Sequence, residues 1–419
     1  MLIRFKVSNY LSIKSESELS FIPGSIKEFE EENIIVNQNH NDLLKSVVLY
    51  GANSSGKSNF FKALEFVKKF ILESSKDKQA NEKINVQSFL LSSETEGKPS
   101  GFEIEFIIKD IKYKYGFEVD VEKVHTEYLC YTKKLKEYDY FRRKDNEIVV
   151  DNKFIGASGL NDKTRENALF LSVVAQWNGP IAIEIINWFS KLKFISDFNQ
   201  PSDVNFTASL LDENSKYRKS IIKLLCAADL GFKEVNSRKI TLDSEMLKDT
   251  PKEIRDILLN QDHYIISTIH EKYDATMNPV GSVNFNLSKN ESLGTQKYFS
   301  MAGKIVYSLV QGEILIVDEL DSRLHSLLSS FIIKLFNSKV NNKNKAQLIC
   351  ATHNTNILSK KILRRDQIIL TQKNLFGATK LSTLLDSKNP RNDASFEKNY
   401  LEKDYEAVPF IEEDLDLFG

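Results

Sequence analysis

The sequence predicts a mixed α/β fold with a mixed sheet, a separate antiparallel β subdomain and a compact inserted helical lobe. An apolar strand at 47–50 ends in a glycine-containing turn, and residues with helical spacing follow from Lys57. From Phe102 onward the chain alternates apolar and polar side chains, as paired antiparallel strands do. A second apolar strand, at 314–317, ends in two carboxylates. Ligand groups in open α/β sheets lie at this carboxyl edge of the strands.

The first of these segments, VVLYGANSSGKSNFF at 47–61, has the pattern of a phosphate-binding loop. In G-x-x-x-x-G-K-[ST], backbone N–H groups point at phosphate oxygens, the lysine reaches the β- and γ-phosphates, and the hydroxyl ligates Mg²⁺. The alternative is a chance match within a Gly/Ser turn, which the flanking strand and helix argue against. The predicted nucleotide-binding residues are Gly51, Asn53, Ser54, Ser55, Gly56, Lys57, Ser58 and Asn59, and Ser58 is also a predicted metal ligand.

Length and composition are those of a globular protein with two or three domains. The 419 residues are 41% hydrophobic and 27% charged, and the net charge is −1, so no global attraction to nucleic acid or anionic membranes is expected. The three cysteines lie far apart and predict small buried side chains. The first residues alternate like a strand and lack a signal-peptide pattern, and no window reaches about 18 apolar residues. We therefore expect a cytoplasmic protein without membrane contact.

The middle of the chain predicts strands followed by helices. Strands are expected at 102–110, 112–123, 128–135 and 148–155, and helices at 60–72, 166–176, 181–192 and 216–230. The pattern at 236–282 is mixed. No internal repeat and no heptad run long enough for a coiled coil is present.

Two further strand ends supply candidate catalytic groups. Asp318 is predicted to hold Mg²⁺, and Glu319 to orient and deprotonate the attacking water. The alternative for this pair is a helix cap. His353 follows the apolar strand 346–352, where it could touch a γ-phosphate, although a lone histidine is more often a surface or core residue.

A second helix start precedes the acidic strand. ESLGTQK at 291–297 has a serine and a glycine before a predicted helix at 298–310, which is a second phosphate-binding N-terminus. The nucleotide site of one chain does not need two phosphate-binding helix N-termini. We therefore predict a twofold dimer with two shared sites, in which Ser292 and Gly294 serve the nucleotide of the other copy.

Taken in order, GANSSGKS, ESLGTQ, ILIVDE, LDSRLH and ATH resemble the ABC-type P-loop ATPase heads of the RecF and SMC class. The corresponding motifs are Walker A, signature, Walker B, D-loop and switch histidine. Further segments resemble the RloA-type predicted ATPases of abortive-infection and other anti-phage loci: NALFLSVVAQWN, ESLGTQKYF, ELDSRLHSLL, THNTNIL, LRRDQI and YLEKDYEAVPF. Leu293 departs from the signature, where ABC transporters carry glycine.

The resemblance implies an ATPase that uses ATP and Mg²⁺. It adds Gln296 and Asp321 to the nucleotide-binding residues and suggests Gln87 as the metal-binding glutamine of the class, the alternative being a polar residue at a strand start. The implied division is 1–153 for the N-terminal half of the head, 154–284 for an inserted helical and mixed lobe, 285–385 for the C-terminal half, and 386–419 for a C-terminal segment with an acidic tail.

The resemblance also has implications for the partner proteins. The interval between Lys57 and Ser292 has no heptads, which argues against an SMC-like tether, and the residues after His353 are too few for a TOPRIM nuclease domain. A toxic or TOPRIM-like nuclease partner would then be a separate polypeptide from a neighbouring gene, and a phage-derived trigger is expected to act on the ATPase.

Two functions are predicted from different classes. The first is a regulatory ATPase of phage defence, and the second is a RecF-like DNA-binding ATPase of repair or end recognition. A basic cluster could serve DNA, but interleaved acids favour a solvated sheet edge: Lys133, Lys134, Lys136, Arg142, Arg143 and Lys144. A nucleotide-gated scaffold without hydrolysis is a third possibility, which Glu319 disfavours.

Overall fold

The computed structural model describes residues 1–76, 79, 82–195, 200–241, 251, 252, 255, 259, 262–358 and 362–386. Apart from Asp386, the predicted C-terminal segment 386–419 lies outside the described residues, as do its acidic tail and the YLEKDYEAVPF motif. Within the described residues, no helix combines the length and the apolar character needed to cross a bilayer.

The strands and helices are numbered here in chain order. The strands are β1 Leu2–Ser8, β2 Ser17–Ser20, β3 Ile34–Ile35, β4 Leu43–Leu44, β5 Ser46–Tyr50, β6 Ser100–Ile108, β7 Ile111–Val119, β8 Val124–Lys133, β9 Lys136–Lys144, β10 Glu147–Val150, β11 Leu192–Ile195, β12 Glu234–Ile240, β13 His263–Tyr273, β14 Pro279–Asn286, β15 Ile314–Val317, β16 Gln347–Ala351, β17 Ile368–Lys373 and β18 Thr379–Thr383. The helices are α1 Glu30–Asn33, α2 Lys57–Glu73, α3 Phe170–Gln176, α4 Pro180–Ser190, α5 Pro201–Ser209, α6 Arg218–Cys226, α7 Leu287–Asn290, α8 Leu293–Gln311 and α9 Ser326–Asn337.

A six-stranded sheet in the order β11-β15-β16-β5-β17-β18 forms the middle layer. Its strands are parallel except for β18, which pairs antiparallel with β17. Strands β5, β15 and β16 are buried throughout, as expected for strands covered on both faces. Because they run in the same direction, the loops that follow them meet at one edge of the sheet.

The core lies on both faces of this sheet. Val47 and Leu49 of β5 belong to one hydrophobic cluster, together with α2 and the antiparallel sheet. Val48 and Tyr50 face a second cluster that contains α8 and α9. The period of two along β5 thus divides its side chains between two cores.

An antiparallel seven-stranded sheet, in the order β10-β9-β8-β7-β6-β1-β2, packs beyond α2. The predicted α/β class, with a mixed sheet and an antiparallel sheet, is confirmed. Strand β9 was not predicted, because charged residues occupy most of it and hide its alternation. It pairs with β8 and β10. Arg142, Arg143 and Lys144 therefore lie on a strand with neighbours on both sides, whereas Lys133, Lys134 and Lys136 lie at the exposed β8–β9 turn.

The interval predicted as an inserted lobe, 154–284, contains α3 to α6 and contributes β11 to the six-stranded sheet. A third sheet, in the order β12-β13-β14, spans the region where the sequence pattern was mixed, and its last strand runs two residues past the predicted boundary at 284. The division into four domains stays a prediction. The prediction of buried cysteines is correct for Cys130 and Cys350 and wrong for Cys226, which is exposed in the last turn of α6.

Candidate functional site

A cavity of about 470 Å³ opens at the carboxyl edge of the six-stranded sheet. The loop between β5 and α2 forms one wall, and residues after β15 and β16 face it. The lining residues are Asn53, Ser54, Ser55, Gly56, Lys57, Ser58, Asn59, Asp318, Glu319, His353 and Lys373. Most of the predicted nucleotide-binding and catalytic residues are thus brought together, although they come from segments about 260 to 300 positions apart.

Only glycine fits at the two ends of the loop from Gly51 to Gly56. A Cβ on Gly51 would overlap the Thr371 carbonyl oxygen, and one on Gly56 would overlap the Thr379 hydroxyl. Gly56 also has φ of 106°, which favours glycine. Within the described residues, the buried Ser55 hydroxyl has no hydrogen-bond partner. A tight backbone cradle with an unpaired polar atom fits a phosphate group.

Lys57 and Ser58 begin α2 at this cradle. The Lys57 ammonium donates to the carbonyls of Gly51 and Ala52, at 2.7 and 2.9 Å. Burial lowers the pKa of Lys57, and the nearby carboxylates, Asp318 foremost, oppose that shift. In the part of the chain that the structure describes, carbonyls alone accept from this ammonium, and a buried cation in such surroundings fits an anionic ligand.

Asp318 ends β15 and lies against Ser58. Burial raises the pKa of Asp318, while a hydrogen bond from the Ser58 hydroxyl lowers it. The Asp318 N–H donates to the Ile195 carbonyl at 2.9 Å, which fixes the end of β15 against β11. Two of the three predicted metal ligands, Ser58 and Asp318, are therefore in contact, and their oxygens are the donor type that Mg²⁺ prefers.

Glu319 has a left-handed backbone, with φ of 50°. Its N–H donates to the Asp318 carboxylate at 3.1 Å, and its carbonyl accepts from the Lys297 ammonium at 2.9 Å. Residues other than glycine adopt this conformation at a cost of about 1–2 kcal/mol. The local contacts therefore hold the Glu319 side chain at the cavity wall against an intrinsic preference.

His353 and Asp321 form one unit. Both carboxylate oxygens of Asp321 accept from the His353 N–H at 3.2 Å. Burial and the Lys57 charge lower the pKa of His353, and the neighbouring carboxylates oppose this. Asp321 does not line the cavity of its own chain and holds the backbone of His353, and its predicted role in nucleotide binding stays a prediction.

The ESLGTQ segment lies outside the cavity of its own chain. The helix begins at Leu293, so the predicted start at 298 is wrong: Ser292 is the N-cap and accepts from the Thr295 N–H at 3.1 Å. Gly294 lies in the first turn. Gln296 is buried and donates to the Glu291 carbonyl at 3.0 Å, a contact that supports the turn. The roles of Ser292, Gly294 and Gln296 in nucleotide binding stay predictions.

Gln87 does not line the cavity, and its side chain is exposed. Residues 82–90 form no strand, so the alternative of a polar residue at a strand start is wrong. The Gln87 carbonyl accepts from the Leu11 N–H at 2.9 Å. The neighbouring Ser12 hydroxyl accepts from Asn59 of the phosphate loop helix at 2.8 Å. The role of Gln87 as a metal ligand stays a prediction.

Two lysines were missed by sequence reasoning. Lys373 ends β17 and lines the cavity, and Lys297 approaches Glu319 from α8. The apolar run at 368–370 gave a signal for β17, whose carboxyl end lies beside that of β5. No local pattern marks Lys297, because its contact depends on how α8 packs on the loop after β15.

Two of the solved structures similar to this chain are SMC head domains. The SMC head domain from Thermotoga maritima is 13% identical, with a TM-score of 0.40 and coverage of 91% of this chain and 98% of that chain. The Smc head domain with an extended coiled coil bound to the C-terminal domain of ScpA, derived from Pyrococcus furiosus, is 12% identical, with a TM-score of 0.41 and coverage of 96% and 98%.

No curated protein sequence matches the chain. A family model does match, over residues 46–359, which is well over half of the chain and includes the phosphate loop, the acids after β15 and His353. The chain therefore belongs to the family described as AAA domain, putative AbiEii toxin, Type IV TA system.

Proposed function

We propose that this protein binds ATP with Mg²⁺, hydrolyses it, and uses the cycle to open and close a pair of subunits. The observation that carries the proposal is the cavity at the carboxyl edge of the sheet, in which the phosphate loop faces Asp318, Glu319 and His353. Loop amides, a lysine, a hydroxyl and two carboxylates are the groups that phosphoryl transfer requires.

Some residues of the cavity would bind the nucleotide, and others would take part in its hydrolysis. The cradle and Lys57 bind the triphosphate, while Ser58 and Asp318 would hold Mg²⁺, which supplies charge neutralisation when bound. Glu319 orients the attacking water and accepts its proton. His353 lies where an imidazole can approach the terminal phosphate, and Asp321 fixes its backbone.

The paired arrangement rests on the exposed signature turn. Ser292 and Leu293 are exposed at the start of α8 and lie outside the cavity of their own chain. A second subunit bound face to face would bring this turn to the triphosphate of the first, so that each subunit completes the other's site. Hydrolysis then breaks down the triphosphate that both subunits contact, and the two subunits separate.

For the biological role, we propose an RloA-type ATPase of bacterial anti-phage defence that responds to a phage-derived trigger and controls a separate toxic or nuclease partner. The family description, which refers to a putative toxin of a type IV system, supports this setting.

The DNA-binding alternative is weaker because part of the basic cluster is occupied. Arg143 is 4% exposed and donates to the carbonyls of Asp145 and Ala168, both at 2.7 Å. Arg142 pairs with Asp139 at 2.7 Å. The exposed lysines at the β8–β9 turn are left as the local basic surface. Salt-sensitive stimulation of hydrolysis by DNA would favour this alternative.

The test is the variant Glu319→Gln, with Glu234→Gln on the exposed strand β12 as the control. We expect Glu319→Gln to lower the ATP turnover by about 10²–10⁴-fold, because it lacks the general base, while ATP binding persists. With ATP trapped, light scattering should report twice the mass of the chain. Turnover at the parental rate in Glu319→Gln would refute the assigned base, and a parent that binds no ATP would refute the proposed function.

A further inference from the structure

We infer that Lys297 is a positioning residue that links the signature turn of one subunit to the catalytic base of the same subunit. The inference rests on the proposed ATPase function and adds a route by which one ATP site responds to the other. Lys297 is the fifth residue of α8 and is 4% exposed. A buried lysine is uncommon and needs a partner for its charge.

The partner of Lys297 is the loop that carries the base. Its ammonium donates to the Glu319 carbonyl at 2.9 Å, between residues 22 positions apart. Burial lowers the pKa of Lys297, and the charges of Glu319 and Asp321 raise it in turn. The side chain therefore joins the signature helix to the segment after β15.

The bond from Lys297 acts on a backbone conformation of Glu319 that is intrinsically unfavourable. Glu319 is left-handed, and its carbonyl also accepts from the Ser322 N–H at 3.1 Å. The direction of the Glu319 carboxylate follows from this backbone conformation. Removal of the Lys297 bond should leave the carboxylate less well fixed at the cavity wall.

A second, independent contact joins the same two segments. A Cβ on Gly294 would lie 2.7 Å from the Arg323 carbonyl oxygen, so the first turn of α8 packs directly on the loop that follows Glu319. A displacement of the signature turn therefore reaches both ends of the segment 319–323, through Lys297 at one end and Gly294 at the other.

In the proposed pair of subunits, the exposed Ser292 and Leu293 meet the nucleotide of the partner. Contact there fixes the start of α8, and through Lys297 it fixes Glu319 in the subunit's own site. Binding of ATP at one site then promotes hydrolysis at the other, which is a coupling between sites and predicts a Hill coefficient above 1.

The experiment compares Lys297→Met with Lys289→Met, an exposed lysine of α7 just before the signature turn. Because misplacement of a catalytic group by about 1 Å can cost about 10²-fold in rate, we expect Lys297→Met to lose about 10- to 100-fold in kcat. Its KM should stay close to that of the parent, and its Hill coefficient should approach 1. Lys297→Arg keeps a cationic donor and should recover part of the rate.

A second readout needs no nucleotide. In amide hydrogen exchange, the peptide 318–324 should exchange faster in Lys297→Met than in the parent, while Lys289→Met should leave it unchanged. This measurement tests the link even when hydrolysis is not observed.

The outcomes separate the two proposals. A parent that hydrolyses no ATP refutes the proposed function. A parent that hydrolyses ATP, together with a Lys297→Met variant that keeps the parental kcat, Hill coefficient and exchange, overturns the inference alone. Loss of ATP binding together with kcat in Lys297→Met also overturns it, because the lysine would then support the site as a whole.

Discussion

Replacement of Glu127 by leucine should destabilise the junction between the antiparallel sheet and the phosphate loop helix. Glu127 lies on β8 and is fully buried. Its carboxylate accepts from the N–H groups of Phe170 and Leu171, at 2.7 and 3.0 Å, and so caps the start of α3. Helix α3 in turn bonds α2, since the Ser172 hydroxyl donates to the Ile71 carbonyl at 2.6 Å.

The size of the effect follows from the groups left without a partner. The carboxylate also accepts from the Tyr115 hydroxyl at 2.8 Å and lies 3.8 Å from the Arg143 guanidinium. Burial raises the pKa of Glu127 and lowers that of Arg143, and their mutual attraction opposes both shifts. Loss of one member of a buried ion pair costs about 3–5 kcal/mol, so we expect the free energy of unfolding to fall by about 4 kcal/mol.

The chain provides its own probe for this measurement. Its two tryptophans, Trp177 and Trp188, lie at the end of α3 and in α4, so intrinsic fluorescence during urea unfolding reports on this layer. The control is Glu73→Leu, which removes an exposed pair with Lys69 and should cost less than about 1 kcal/mol.

The double variant Glu127→Leu/Arg143→Met should recover part of the loss, because it no longer buries a lone charge. If Glu127→Leu unfolds within about 1 kcal/mol of the parent, less than the cost of one orphaned buried group, the reasoning is wrong.

Two further predictions concern the cavity. Lys373→Met should weaken ATP binding by about 3- to 10-fold in a salt-dependent manner, because an exposed cation is lost beside the phosphate loop. The control Lys380→Met, on β18, should bind ATP like the parent. Equal ATP affinity of the two variants, measured by calorimetry, would contradict this prediction. Because the pKa of His353 is lowered, its folded imidazole resists protonation, and stability should fall as the pH drops from 6.5 towards that lowered pKa. Urea unfolding at pH 7.5 and 5.5 should show a smaller loss of stability in His353→Gln than in the parent, and an equal loss would argue against a lowered pKa of the His353 imidazole.

Sequence reasoning worked where one strong local pattern determined the structure. The segment around Lys57 combines an apolar strand, a glycine turn and a helix with one buried face, and all three occur. The strand before Asp318 and the strand before His353 are apolar throughout, as parallel strands covered on both faces must be. These elements fixed the location of the cavity.

Elements without such a pattern were missed. Strand β14 is exposed over most of its length, so no alternation of apolar and polar residues marks it. The start of α8 was placed too late, because Leu293 is exposed and the apolar stripe becomes regular only further along. Contacts such as that of Lys297 depend on packing between distant segments, which no spacing along the chain reveals.

The position of β5 in its sheet has a consequence for synthesis of the protein. Its hydrogen-bonded neighbours, β16 and β17, both come from positions after 346. During translation the strand that bears the phosphate loop therefore keeps two open edges until β16 and β17 have been synthesised, and such long-range pairing is slow. The phosphate loop is synthesised about 300 residues before Lys373, so a nascent chain cannot form the complete cavity until the ribosome has passed that position.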